Sequence, residues 1–270
     1  MSVGMENTGV KLVGANALNK ERNLPRSESL VVLYTNDTFR PVCILSGTDI
    51  SALRTGAYSA IVGEYLMPEE TGNIVACIGS GRIMEASLLC LDAKLKDRIS
   101  QVLVYSPSLK SRENFVARMR EKINISIVSA PTAEEAANNA DYIITATTAL
   151  HPIIDDPLLK KKATVLLLGG DEVGTQFIYR CYQHGLLVCD DWELVKHRNC
   201  QSLPYLYNKD KQLEEKKIVD LWQLITKQVT PENHECVFVN CVGVPALDIK
   251  IAGEVYKSAI QNNVGEYIEL

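Results

Sequence analysis

The stretch Asn73-Ile74-Val75-Ala76-Cys77-Ile78-Gly79-Ser80-Gly81-Arg82-Ile83-Met84-Glu85-Ala86 decides the fold. Ile74 to Ile78 form a continuous apolar run, as a strand buried on both faces requires. Gly79-Ser80-Gly81 follows, and residues 82–96 then place Met84, Leu88, Leu91 and Leu95 on one helical face. Strand, glycine turn and helix together present free helix N-terminal amides to a phosphate. Gly79 permits the tight turn, and Gly81 lets the backbone approach a pyrophosphate with no Cβ in the way. Ser80, Arg82 and Ile83 complete the turn and the first helical residues, so they join the two glycines as candidate cofactor contacts. A GxGxxG string alone is weak evidence; the buried strand before it and the amphipathic helix after it raise its value. Met84 stands where the third glycine would be, which predicts a slightly wider helix–strand spacing.

Working outward, strands are predicted at 102–105, 125–128, 142–146, 163–168, 186–189 and 237–242. Between them lie a charged helix at 109–122 and a short one, capped by Thr132 with Glu135, through Asn139. This alternation predicts an α/β fold, a doubly wound parallel sheet of the Rossmann type covered by helices on both faces. Upstream, 30–34 and 41–45 flank the turn cluster Thr35-Asn36-Asp37-Thr38 and read as a β-hairpin. A helix follows, with Thr48, Asp49 and Ser51 as competent caps, Leu53, Ala57, Ile61 and Tyr65 at four-residue spacing, and Pro68 as its stop. Residues 208–217 form a charged, solvated segment, and a closing helix runs from about Ala246 to Asn262.

Composition narrows the function. Hydrophobic residues are 46% and charged residues 23% of the 270, ordinary for a globular chain. The net charge of −5 leaves no basic stripe for nucleic acid. No apolar run is long enough to cross a bilayer, and the start Met1 to Val10 is polar, without a basic stretch followed by an apolar one, so no secretion signal is expected. The eight cysteines include no C-x-x-C pair and several sit in strand-like runs, which predicts free thiols in a reducing cytoplasm. The four histidines lack metal-ligand spacing, so no metal is expected.

The second strand ends at Tyr105-Ser106-Pro107-Ser108 with no acid to bind a ribose diol, and Lys110 and Arg112 follow. A hydroxyl and two cations suit a 2′-phosphate, so the expected cofactor is NAD(P), with NADPH favoured over NADH. The alternative is that Lys110 and Arg112 are surface charges at a helix start.

Five blocks then occur in order: Gly47 to Ala60 (GlyThrAspIleSerAlaLeuArgThrGlyAlaTyrSerAla), the glycine turn, Leu168 to Gln176 (LeuGlyGlyAspGluValGlyThrGln), Ile218 to Trp222, and Cys241 to Asp248 (CysValGlyValProAlaLeuAsp). Together they resemble the ornithine cyclodeaminase and mu-crystallin family from about Gly9 onward. The resemblance implies a Rossmann domain, 56–242, and a smaller α+β lobe, 1–55 with 243–270, that binds substrate and builds a homodimer. It also implies that the lobe's earliest strands and one substrate-holding arginine have no counterpart here.

The resemblance implies site residues too. Lys11 matches a substrate-facing lysine and Arg54 an arginine that grips the substrate carboxylate; a surface role for Lys11 is the alternative. Arg54 is expected in the first turn of its helix, an unfavourable end for a cation, so a compensating anion is expected beside it. Thr55 would lie near the cofactor. Asp171 matches the catalytic acid/base, with a helix cap as the alternative. Thr145 and Thr147 match the nicotinamide side, and Cys241, Val242 and Gly243 a loop over it, with Val244 contacting substrate. Asp248 matches a family acid or is a cap. Where cyclodeaminases carry a cofactor-contacting lysine this chain has Thr175, which weighs against ornithine cyclisation.

The implied reaction is hydride transfer at the α-carbon of a small α-amino or α-imino acid, as in a ketimine reductase or amino acid dehydrogenase. A cyclodeaminase, a synthase of amino-acid conjugates, and a mu-crystallin-like NADPH-binding protein without catalysis are the alternatives.

Overall fold

The structure is a computed structural model that describes residues 2–3, 7–22, 24–210, 213–230 and 234–269. The chain divides into two compact units, 1–54 with 244–270, and 55–243. The breaks therefore place Thr55 and Gly243 with the large unit, each one residue from the expected boundary.

The small unit carries a four-stranded antiparallel sheet in the order β1 (Ser2–Val3), β2 (Asn7–Ala15), β3 (Ser27–Thr35), β4 (Pro41–Ser46). The expected hairpin is β3–β4; β2, which carries Lys11, pairs antiparallel with β3 and puts Lys11 opposite Val31. Period-two alternation gives the sheet two faces. Gly9, Lys11, Val31 and Leu33 share one face, and Val31 and Leu33 pack there with Ile249 and Ala252 of α9 (Pro245–Gln261). Leu12, Leu30 and Ile44 share the other face and are exposed. The helix α1 (Thr48–Leu66) begins in this unit and runs into the large one.

The large unit holds an eight-stranded, all-parallel sheet. In chain order its elements are β5 (Asn73–Ile78), α2 (Arg82–Leu95), β6 (Ile99–Tyr105), α3 (Leu109–Arg120), β7 (Ile127–Ser129), α4 (Ala133–Ala137), β8 (Tyr142–Thr145) and β9 (Thr164–Leu167). They continue with α5 (Thr175–His184), β10 (Leu186–Cys189), α6 (Trp192–Val195), α7 (Ser202–Lys209), β11 (Ile218–Asp220), α8 (Leu221–Ile225) and β12 (Val237–Asn240). The lateral order is β11-β10-β12-β9-β8-β5-β6-β7. Chain order therefore reverses between β5 and β8, the switch point at which ligands bind in open α/β sheets.

β5, β8, β9, β10 and β12 are almost wholly buried, because helices cover both faces and form two separate hydrophobic clusters, one per face. Met84, the residue in place of the third glycine, is fully buried in one of them with Tyr58, Val62 and Leu88. The third strand lies at 127–129, not 125–128; Ile125 is buried as a lead-in residue. Thr132 caps α4 by accepting the Glu135 amide at 3.0 Å. The charged segment differs from its expectation. α7 runs into it as far as Lys209, and Leu213 is a buried anchor inside it; Lys211 and Gln212 lie outside the described residues. No disulfide forms among the described cysteines, and Cys200 is the exposed one. No helix among the described residues is long and apolar enough to cross a membrane.

Candidate functional site

In the large unit the site residues collect at the carboxyl edge of the sheet. β5 ends at Ile78 and the chain turns through Gly79, whose φ is +118°. A Cβ at Gly79 would lie 2.5 Å from the carbonyl oxygen of Ala146, so the turns after β5 and β8 pack against each other at the switch point. The Gly79 amide donates to the Tyr105 carbonyl at 2.8 Å and the Ala146 amide to the Ile78 carbonyl at 3.0 Å, which locks the turn.

Gly81 is the N-cap of α2, and no side chain caps that helix. A Cβ added at Gly81 would meet nothing within 4 Å. Open space in front of uncapped helix amides is a fit for a pyrophosphate: the amides supply donors and the helix dipole favours negative charge. Ser80 is half-buried beside this opening, Ile83 is half-buried and Arg82 is exposed.

At the end of β6 the expected pair of cations is not equivalent. Arg112 is 7% exposed; it donates to the carbonyls of Ser106 at 3.1 Å and Pro131 at 3.3 Å and lies over the Tyr105 ring. Its Nη1 holds the loop backbone, while Nε is buried without a hydrogen-bond partner among the described residues. Lys110 is exposed, and Ser108 spends its hydroxyl capping α3.

The loop after β9 carries Asp171, and its neighbours are pinned one after another. The Gly169 carbonyl accepts from Gln201 at 2.9 Å, and the Glu172 carboxylate, fully buried, accepts the Thr147 amide. The Glu172 carbonyl accepts the Ile153 amide at 2.8 Å, the Val173 amide donates to Ser202 at 3.1 Å, and the Gly174 amide to the Ile154 carbonyl at 2.8 Å. Asp171 itself is half-buried, and its carboxylate has no hydrogen-bond or ion-pair partner among the described residues. Asp171 does not cap α5. Gly174 holds the N-cap position, and Asp155 accepts the Phe177 amide at 3.1 Å. A rigid loop that presents one uncommitted carboxylate is how a general acid/base is held ready.

Thr145 is fully buried at the end of β8 and its hydroxyl has no hydrogen-bond partner among the described residues; Thr147 is half-buried and accepts the Ala149 amide at 3.0 Å. Thr55 is buried in the large unit. Cys241 is buried past the end of β12, followed by half-buried Val242 and Gly243.

The sequence reading passed over three residues that organise this edge. Glu172 pins Thr147. Gln201 joins the carbonyls of Gly169 and Cys241 and accepts from Asn240 at 3.0 Å. Asp190, past the end of β10, accepts the amides of Val242 and Gly243. Asp190 had a signal, an acid straight after an apolar strand. Gln201 had none, because its partners are distant carbonyls.

In the small unit the predicted substrate cations converge. Lys11 Nζ lies 2.8 Å and Arg54 Nε 3.1 Å from the same oxygen, Oδ1 of Asp248. Lys11 also donates to Ser51 at 2.9 Å. Asp248 is 2% exposed in the first turn of α9. Two cations share one anion, so the cluster keeps one positive charge in excess, which a ligand carboxylate would complete. Arg54 is the seventh residue of α1, in its second turn and not its first. Asp248 is the anion expected beside it, and the dipole of α9 favours an acid there. Val244 is the N-cap of that helix, half-buried before Pro245.

N-((2S)-2-amino-2-carboxyethyl)-L-glutamate dehydrogenase of Staphylococcus aureus is 26% identical over 267 residues, 97% of this chain and 78% of that protein. The Thermococcus litoralis Δ1-pyrroline-2-carboxylate reductase, solved with NADH and L-proline, superposes with a TM-score of 0.86 at 24% identity, over 96% of this chain and 80% of that one. A dimeric archaeal alanine dehydrogenase with bound NAD gives 0.87 at 23% identity, over 98% and 82%. These two structures share the fold. The model of the ornithine cyclodeaminase/mu-crystallin family matches residues 1–263, and the chain belongs to that family.

Proposed function

We propose that this protein is a nicotinamide-dinucleotide-dependent oxidoreductase acting by hydride transfer at the α-carbon of a small α-amino or α-imino acid. The observation that carries the reading is Asp171: a carboxylate without a partner among the described residues, in a fully braced loop on the same sheet edge as the open, uncapped turn at Gly81. Family membership and the dehydrogenase and reductase relatives support it.

The bound dinucleotide would supply the hydride acceptor or donor. The amides at the start of α2 hold its pyrophosphate. Lys11 and Arg54 bind the substrate carboxylate, with Asp248 fixing both cations, and Val244 borders that site. Asp171 takes or gives the proton on substrate nitrogen or on an attacking water. Thr145, Thr147, Cys241 and Val242 line the side of the nicotinamide. Thr175 is the exposed first residue of α5, without the cation that cyclodeaminases place there, which supports net redox chemistry over ring closure.

Replacing Gly81 by alanine tests the dinucleotide site. The backbone at Gly81 (φ −93°) suits any residue and the added Cβ meets no protein atom, so the fold and melting temperature should not change. The methyl would stand where the pyrophosphate approaches, and calorimetry should show NADH and NADPH affinity falling roughly tenfold or more. Unchanged affinity would remove the reading.

Within this function we infer NADPH preference from Lys110 and Ser106, in the absence of any acid at the end of β6. With Arg112 committed to carbonyls, the preference rests chiefly on one exposed cation and should be modest. Lys110→Ala should weaken NADPH by about twofold to fivefold, the worth of one exposed ion pair, and leave NADH unchanged. We also infer a homodimer, supported by the exposed Leu12, Leu30 and Ile44 face and by the dimeric alanine dehydrogenase relative. Sedimentation at micromolar concentration checks it.

A further inference from the structure

We propose that Asp190 is a positioning residue that shapes the loop Cys241 to Gly243 to receive the nicotinamide half of the dinucleotide; this rests on the dinucleotide reading above. β10 and β12 are neighbours with Cys189 opposite Asn240, so Asp190 and Cys241 are the next residues past paired strand ends. From there the Asp190 carboxylate reaches across. It accepts the Val242 amide at 3.1 Å on each oxygen, the Gly243 amide at 2.6 Å and the Asp191 amide at 3.1 Å.

Gly243 has φ +97°, the left-handed conformation that lets successive amides converge on one anion. Such a concavity usually collects an external anion. Here an internal carboxylate, 8% exposed, fills it, so the loop holds one shape. Burial pushes the Asp190 carboxyl above its ordinary range, while the Gly243 and Val242 amides and the Tyr58 hydroxyl oppose that shift.

The lateral order of the sheet says which half of the cofactor meets this loop. The pyrophosphate turn follows β5. The adenosine side lies toward β6, so the other half extends over β8 and β9 toward β12. Three strand spacings, about 14 Å, separate β5 from β12, within reach of the nicotinamide end.

Calorimetric titration with two ligands provides the test: NADH or NADPH, whichever binds the wild type tighter, and the matching ADP-ribose, which lacks nicotinamide. Asp190→Asn keeps the shape but turns one acceptor into a donor facing amide donors. It should weaken the full dinucleotide roughly tenfold or more and leave the ADP-ribose within about twofold. Gly243→Ala, which strains the left-handed turn, should give the same pattern and carries the test if Asp190→Asn does not fold. Equal losses for both ligands, or no loss of dinucleotide affinity in the folded variants, would overturn the proposal. A wild type that binds neither ligand would instead bring down the dinucleotide reading itself.

Discussion

Asp171→Asn should lower turnover by a hundredfold or more while nucleotide affinity stays within about twofold, because a positioned general acid/base contributes roughly 10²–10⁴ in rate. The expectation rests on how Asp171 is held. Gly169, Glu172, Val173 and Gly174 each spend a backbone or side-chain group on Gln201, Thr147, Ile153, Ser202 or Ile154. Those bonds do not involve the Asp171 carboxylate, so the amide substitution leaves the loop as it is. Asparagine cannot accept a proton at neutral pH, so it separates proton handling from shape. Steady-state rates with a panel of cyclic imino acids, and of 2-keto acids with amines, read the first; calorimetry with the nucleotide reads the second. A variant that turns over at the wild-type rate would place the proton transfer on another group. A wild type inert on every substrate that still binds NADPH would favour a binding protein over an enzyme.

Asp248→Asn should destabilise the protein by about 3 kcal/mol, since removing one partner of a buried ion pair leaves an uncompensated charge. Asp248 is nearly inaccessible, and its Oδ1 serves both Lys11 and Arg54. Side-chain exposures of 17% and 12% for the cations leave them little water to fall back on. Without the anion, the two cations lose the one carboxylate oxygen that they share. For a chain of this size the loss corresponds to a melting temperature lower by roughly 6–12 °C. Added salt should recover part of it by screening the surplus charge. A melting temperature within about a degree of wild type would mean that the cluster is solvated and contributes little, as surface pairs do.

These two residues differ in how far the sequence exposed them. Asp171 follows an apolar strand and two glycines, a local pattern that already places a carboxylate at a strand's carboxyl end. Asp248 reads equally as a helix cap. Only the meeting of β2, α1 and α9, which brings Lys11, Arg54 and Asp248 together from distant parts of the chain, makes it a shared counter-ion. Arg112 was legible only as a cation after a strand end; the structure adds that it is buried and that its Nη1 donates to the carbonyls of Ser106 and Pro131. Short elements such as α6, α8 and β11 also went unread, because three to five residues carry too little periodicity.

From the sequence alone come the parallel sheet, the glycine turn at its switch point, the helix that follows and the family. These depend on runs of neighbouring residues, whose spacing sets backbone geometry and burial directly. The tertiary structure decided which polar groups are committed and which are open: Arg112 bonded to carbonyls through Nη1, Asp171 without a partner among the described residues, Asp190 and Gln201 holding loops far away in the chain. Hydrogen bonds and ion pairs of that kind join residues tens to hundreds of positions apart, and local pattern carries no record of such encounters.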